Sequence, residues 1–202
     1  MALEIVQLLD MIKSGRSEEE IKQILLTFRS IRVNEEVHDV EYFLHNKAIE
    51  FEKHDIARTY LVFSRYQERP VLVGYYSLSN KPLVISKKYF SKFSGALKKK
   101  LIGLGYKTES DNYEVKGYLL GQLGKNYSPN ALATKAATGA DLLALATETM
   151  HKIHKLAGGR SFYLECDDVD NLKQFYHSQG FREIENFKSE NGYCIFVRRI
   201  TD

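Results

Sequence analysis

The chain has 202 residues, 29 basic and 26 acidic, giving a formal charge of +3, and 44% of it is apolar. That length suits one globular domain with at most an appendage, and 13 tyrosines with 11 phenylalanines supply a core that excludes a disordered chain. A charge so near neutral gives no bulk argument for a nucleic-acid partner.

In chain order, Leu3, Val6, Leu9 and Ile12 recur at helical spacing and predict a helix over 2–13. Ser14-Gly15-Arg16 turns the chain. Ser17 with Glu20 three residues on is a capping-box signature, and Ile21, Ile24, Leu25 and Phe28 share one face of the helix it opens. Residues 1–30 thus read as a helical hairpin ahead of a main domain at 31–202. A DNA-binding helix pair is disfavoured, because Glu18, Glu19 and Glu20 would repel phosphates. Packing on the main domain, a homodimer contact and a partner contact stay open.

Residues 39–54 predict a helix with Val40, Phe43, Leu44, Ala48 and Phe51 on one side. Two β-rich runs, 59–64 and 71–78, flank a turn at Glu68-Arg69-Pro70. A helix over 87–102 lines up Phe90, Phe93, Leu97 and Leu101, and 113–123 reads as one long strand. A loop marked by Ser128-Pro129-Asn130 leads to a helix over 140–156, closed by Gly158-Gly159. A strand at 162–166, a short helix at 170–179 stopped by Gly180, and a strand at 193–198 complete the chain. The strand–helix–strand unit over 113–166 makes the sheet partly parallel. The expected class is α/β, a mixed sheet covered by helices.

Cys166 and Cys194 lie far apart on apolar runs and form no C-x-x-C pair, which fits buried thiols in a reducing cytoplasm. The first residues show no signal-peptide pattern, and no apolar run of about 18 residues suggests a membrane span. His151 and His154 lack acidic or cysteine partners at ligand spacing, so no metal site is expected.

Two segments carry chemistry. In the first, 118–143, a strand ends in Leu123-Gly124-Lys125, and the chain then enters a helix through Lys135-Ala136-Ala137-Thr138-Gly139-Ala140. Small residues let backbone amides approach a ligand, and free N–H groups at a helix start favour phosphate. In the second, Asn171-Leu172-Lys173-Gln174-Phe175-Tyr176 is followed by Gly180-Phe181. By pattern alone Tyr176 is a half-buried helix tyrosine.

In this order and spacing the two segments resemble the GNAT superfamily of acetyl-coenzyme A-dependent N-acetyltransferases. Ala57-Arg58-Thr59-Tyr60-Leu61-Val62 and Val73-Gly74-Tyr75-Tyr76 look like the compact bacterial branch that includes toxin acetyltransferases. The resemblance spans about 39–187. It departs in the loop, where Thr134 replaces the usual Gln or Arg and Ala137 replaces the first Gly.

The resemblance implies acetyl-coenzyme A as cosubstrate. Leu123, Gly124 and Lys125 would line its pantetheine arm and polarise the thioester carbonyl, and residues 135–140 would hold its pyrophosphate. Asn171 would lie near the arm, and Tyr176 would be the general acid for the departing thiolate. Glu114, Glu165 and Asp167 are candidate bases beside a water relay. The acceptor would be a primary amine on a small molecule, a protein or an aminoacyl-tRNA; a non-catalytic interaction module of the same fold is the alternative. Seven lysines and no acid fall within 81–100, a local +7 that leaves −4 for the rest of the +3 chain. That segment suits an RNA backbone or a solvated face over an apolar stripe.

Overall fold

A computed structural model describes residues 2–31 and 38–200, without the side chains of Lys100 and Ile102. Met1 of the first expected domain, 32–37 and 201–202 of the second, and the Lys100 side chain of the lysine-rich segment lie outside the described residues. The chain forms two compact units, 1–79 with 121–147 and 80–120 with 148–202.

The first unit opens with strand β1 (Glu4–Gln7), where a continuous helix over 2–13 was expected. β1 pairs antiparallel with β2 (Arg58–Tyr66), Val6 opposite Leu61. The apolar period of Leu3 to Ile12 is helical, and pairing with β2 overrides it over Glu4–Gln7. Helix α1 (Leu8–Lys13) starts only where the pairing stops. Helix α2 (Glu18–Leu25) carries the complete capping box, with Glu20 N–H donating to Ser17 Oγ and Ser17 N–H to the Glu20 carboxylate. The expected 39–54 helix is two, α3 (Asp39–Asn46) and α4 (Ala48–Lys53), broken at Lys47.

β2 and β3 (Arg69–Ser79) form an antiparallel hairpin. Its turn is Gln67-Glu68, both at positive φ (49° and 61°), rather than Glu68-Arg69-Pro70. A two-residue hairpin loop needs that left-handed backbone, usually from Asn-Gly, so the sequence held no signal for it. Leu8, Ile21, Leu25, Phe28, Leu44, Leu61 and Tyr75 are buried in one cluster. Phe28 meets the Tyr75 ring edge-on at 5.1 Å, worth about 0.5–1.5 kcal/mol beyond burial.

In the second unit the lysine-rich segment is two short helices, α5 (Lys87–Lys92) and α6 (Gly95–Ile102), divided where Ser94 caps α6. The expected 113–123 strand is broken at Lys116. Tyr113–Val115 is β6, the centre of a small sheet with β4 (Leu83–Ile85) and β5 (Gly105–Lys107), two strands too short to show in the sequence. The rest is β7 (Gly117–Lys125). β7 pairs parallel with β8 (Ser161–Cys166), and β10 (Cys194–Arg199) lies antiparallel to both β8 and β9 (Arg182–Lys188). The main sheet therefore runs β1-β2-β3-β7-β8-β10-β9, a mixed sheet as expected, with β7 contributing to both units. The helices after β7 are α7 (Pro129–Thr134), α8 (Gly139–Ala157) and α9 (Asp170–Ser178).

Candidate functional site

The parallel ladder between β7 and β8 ends at Leu120 opposite Leu164, yet β7 runs on to Lys125. The residues expected to line a pantetheine arm lie on this extension. Leu123 and Lys125 are half-buried, while Gly124 is buried. A Cβ on Gly124 would meet Phe28 Cζ at 2.8 Å and Tyr75 Cε1 at 3.0 Å, so core packing already forbids a side chain there. Gly74 is equally constrained: its Cβ would meet Leu142 Cδ1 at 2.5 Å and the Gly124 carbonyl at 2.9 Å, which sets α8 close against the strands of the first unit.

The chain leaves β7 through Asn126, a residue that no local pattern marks. It is almost wholly buried. Its Oδ1 accepts from Arg29 N–H at 3.0 Å and Ser128 N–H at 2.9 Å, and its Nδ2 donates to the carbonyls of Leu72 at 2.6 Å and Thr27 at 3.2 Å. Tyr127 N–H adds a bond to the Arg29 carbonyl. The segment after α2 is therefore tied directly to the end of β7.

The expected pyrophosphate loop follows α7. Lys135 is exposed and in the left-handed region at φ 49°, where it caps α7. The Ala136 N–H donates to Thr134 Oγ1 at 3.1 Å, and Ala137 is buried. Thr138 opens α8 with Asp141 in a second capping box: Thr138 N–H and Oγ1 both donate to Asp141 Oδ2 at 2.7 Å, and Asp141 N–H donates back at 3.2 Å. The pattern is the ordinary [ST]-x-x-[DE] helix start and was legible in the sequence. Gly139 and Ala140 then keep first-turn amides without an intrahelical acceptor. Of the six loop residues, Lys135, Ala136 and Thr138 have amides already engaged, by Leu132 O, Thr134 Oγ1 and Asp141 Oδ2. The Asp141 carboxylate, held below its ordinary range chiefly by the Thr138 bonds and in small part by Lys125, puts negative charge at the same helix start. The first unit thus carries, at the end of β7 and the start of α8, a strand stretch beyond the parallel ladder, two first-turn amides, the Lys125 side chain and the Asp141 carboxylate.

In the second unit, Tyr176 is buried on α9 and packed on Phe175 (5.1 Å), Phe196 (5.9 Å) and Phe181 (6.0 Å). Burial raises its hydroxyl well above the ordinary tyrosine range, so it is protonated at neutral pH. Asn171 is exposed in the first turn of the same helix. Five residues apart, the two lie roughly 140° around the helix from each other, so α9 does not bring them together. Glu114 accepts from the Tyr106 hydroxyl at 2.7 Å within the small sheet, Glu165 is half-buried on β8, and Asp167 is exposed. Cys166 and Cys194 face each other across β8 and β10, both buried, with burial pushing the Cys166 thiol up to about 12. Among the described residues, no group of three or more His, Cys, Asp or Glu is placed to hold a metal ion, and no helix is long and apolar enough to cross a membrane.

The lysine-rich helices are divided in purpose. Phe90 stacks on Tyr113 at 4.4 Å and Phe93 packs on Phe187, so these aromatics serve the core, while Tyr89 lies edge-on to Phe187 at 5.3 Å and stays partly open to solvent. Lys87 is paired with Asp111 at 2.6 Å; Lys81, Lys88, Lys92 and Lys99 are exposed. The acidic run before α9 is partly neutralised, since Asp168 holds both Lys173 and Lys188.

No family model and no curated protein matches the chain. Solved structures do. AtaT complexed with acetyl-methionyl-tRNAfMet is 19% identical over 96% of this chain and 94% of that one, with a TM-score of 0.61. AtaTR bound with AcCoA is 18% identical over 98% and 92%, with a TM-score of 0.55. The KacTA–DNA complex is 18% identical over 98% and 93%, also at 0.55. The chain has the fold of these proteins. At such identities the likeness speaks for the fold, and the chemistry rests on the residues above.

Proposed function

We propose that the chain is an N-acetyltransferase that moves an acetyl group from acetyl-coenzyme A to a primary amine. The observation that carries this reading is the parallel ladder stopping at Leu120 while β7 continues to Lys125, ahead of a helix start with open amides. AtaT and AtaTR, similar in fold, are solved with acetyl-methionyl-tRNA and with AcCoA, which supports the same cosubstrate here. Leu123, Gly124 and Lys125 bind the arm that carries the acetyl group, and their backbone N–H groups stabilise charge developing on the thioester oxygen. Gly139 and Ala140 receive the phosphates, with Lys125 offsetting Asp141; Lys135, Ala136, Ala137 and Thr138 shape the loop. Tyr176 gives its proton to the leaving sulfur, as a group protonated at neutral pH can. Asn171 contacts the cofactor's outer reach from the surface of α9.

For the acceptor, the exposed Lys81, Lys88, Lys92 and Lys99 favour a polyanion, and aminoacyl-tRNA joins an amine to one. Asp141 and the engaged Ala136 amide favour a second reading, a non-catalytic module of the same fold. Calorimetric titration with acetyl-coenzyme A separates the two. Binding with acetyl transfer that falls in Tyr176→Phe, at unchanged coenzyme A affinity, is expected. No heat and no thermal shift would leave the module reading.

A further inference from the structure

Acetyl transfer also needs a group that receives the amine, and the first unit holds one that the sequence did not single out. Gln122 lies two residues past the end of the parallel ladder on β7. Its Nε2 donates to Asp39 Oδ2 at 3.0 Å, across 83 residues of sequence. Asp39 is the exposed first residue of α3. The Gln122 Oε1 sits 3.5 Å from the Tyr75 hydroxyl, which donates to the Val40 carbonyl. Tyr75 is fully buried, stacked on Phe43 and edged by Phe28. A chain of contacts anchored in the core thus fixes one carboxylate against the open stretch of β7, and among the described residues its Oδ1 has no hydrogen-bond partner.

An acid in the first turn of a helix also serves the helix dipole. That role needs neither the Gln122 bond nor the placement on β7. Among the described residues, two neighbouring carboxylates are occupied: Glu41 accepts from Ser30 N–H and Oγ, and Glu52 holds Arg58 and Thr59 N–H, both nearly wholly buried. Among the described residues, the titratable groups beside Asp39 include His38, the helix cap just before it, and Tyr75 from β3, which burial keeps neutral.

We propose that Asp39 is the acceptor-side carboxylate, attracting the primary ammonium and accepting a proton from its nitrogen during transfer. The inference rests on the N-acetyltransferase reading. In the step, the nitrogen lone pair forms the bond to the acetyl carbon and the carbon–sulfur bond breaks with its pair on sulfur. The ammonium loses two protons in turn through Asp39 to solvent, one before and one after the bond to carbon forms, and sulfur takes one from Tyr176, which solvent reprotonates.

Asp39→Asn tests this, because it removes the charge and keeps an oxygen for Gln122. Methionine methyl ester serves as probe, its α-amino group titrating near 7.7–8.0. The expected result is a fall in kcat/KM for the ester on the order of 100-fold at pH 7, shrinking as pH rises past the amine's own titration. Calorimetry with protein saturated in coenzyme A should show weaker ester binding, while acetyl-coenzyme A affinity and Tm hold; Asp39→Glu should recover part of the loss. A wild-type pH profile and ester affinity in Asp39→Asn would overturn the assignment alone. A wild-type protein that binds acetyl-coenzyme A yet neither binds nor acetylates the ester would also overturn it. Failure of the wild type to bind acetyl-coenzyme A would overturn the N-acetyltransferase reading with it.

Discussion

Replacing Asn126 by alanine strips four backbone groups of their partner: the N–H groups of Arg29 and Ser128 and the carbonyls of Thr27 and Leu72. The Leu72 bond is buried, and the other three are part-buried. A buried carbonyl left unpaired costs about 1–3 kcal/mol, and each part-buried bond about 0.5–1.5, so the loss is about 2.5–7.5 kcal/mol. Against a typical stability of about 5–15 kcal/mol, that is a large share. Urea unfolding followed by circular dichroism reads it as a lower midpoint at unchanged slope. Asn126→Asp sharpens the test. It keeps the oxygen that accepts two N–H groups but turns the donor into an oxygen facing two carbonyls, so it should cost at least as much as alanine despite its shape. A loss under about 1 kcal/mol for alanine, or an aspartate variant milder than alanine, would refute the view that this side chain fastens the end of β7.

Asp141→Asn removes a helix-capping charge and should cost about 0.3–1 kcal/mol of stability while tightening acetyl-coenzyme A binding; weaker binding in calorimetry would argue that the carboxylate helps shape the site. Cys166 and Cys194, buried and with raised thiols, should resist iodoacetamide in the native protein and react only after denaturation; mass spectrometry showing native alkylation would contradict this.

The longer elements β2, β3, α8, β8, α9 and β10 were legible because apolar period and turn residues agreed there, whereas α7 occupies an expected loop. The capping box at Ser17–Glu20 and the α8 start were legible because caps are local. Elements decided by distant partners were not. β1 depends on β2, the Gln67-Glu68 turn on hairpin twist, and the break at Lys116 on two three-residue strands. The candidate site divides the same way. The stretch 135–140 stood out by local pattern and Tyr176 only through the family resemblance, but the engaged Ala136 amide, the exposed Asn171 and the opposing Asp141 follow from the folded arrangement. Asp39, Gln122 and Asn126 are ordinary polar residues in sequence, and what sets them apart is a partner 83 to 99 positions away.

The bond between Arg29 and Asn126 spans 97 residues. At a synthesis rate of about 5–20 residues per second, the ribosome takes on the order of 5–20 s to add the asparagine after the arginine. Through that interval α1 and α2 exist without the strand end they fasten, and Phe28 has no Gly124 to lie against. The beginning of the chain must wait for its middle, leaving an apolar helix pair exposed to chaperones, or to another copy of the same nascent chain.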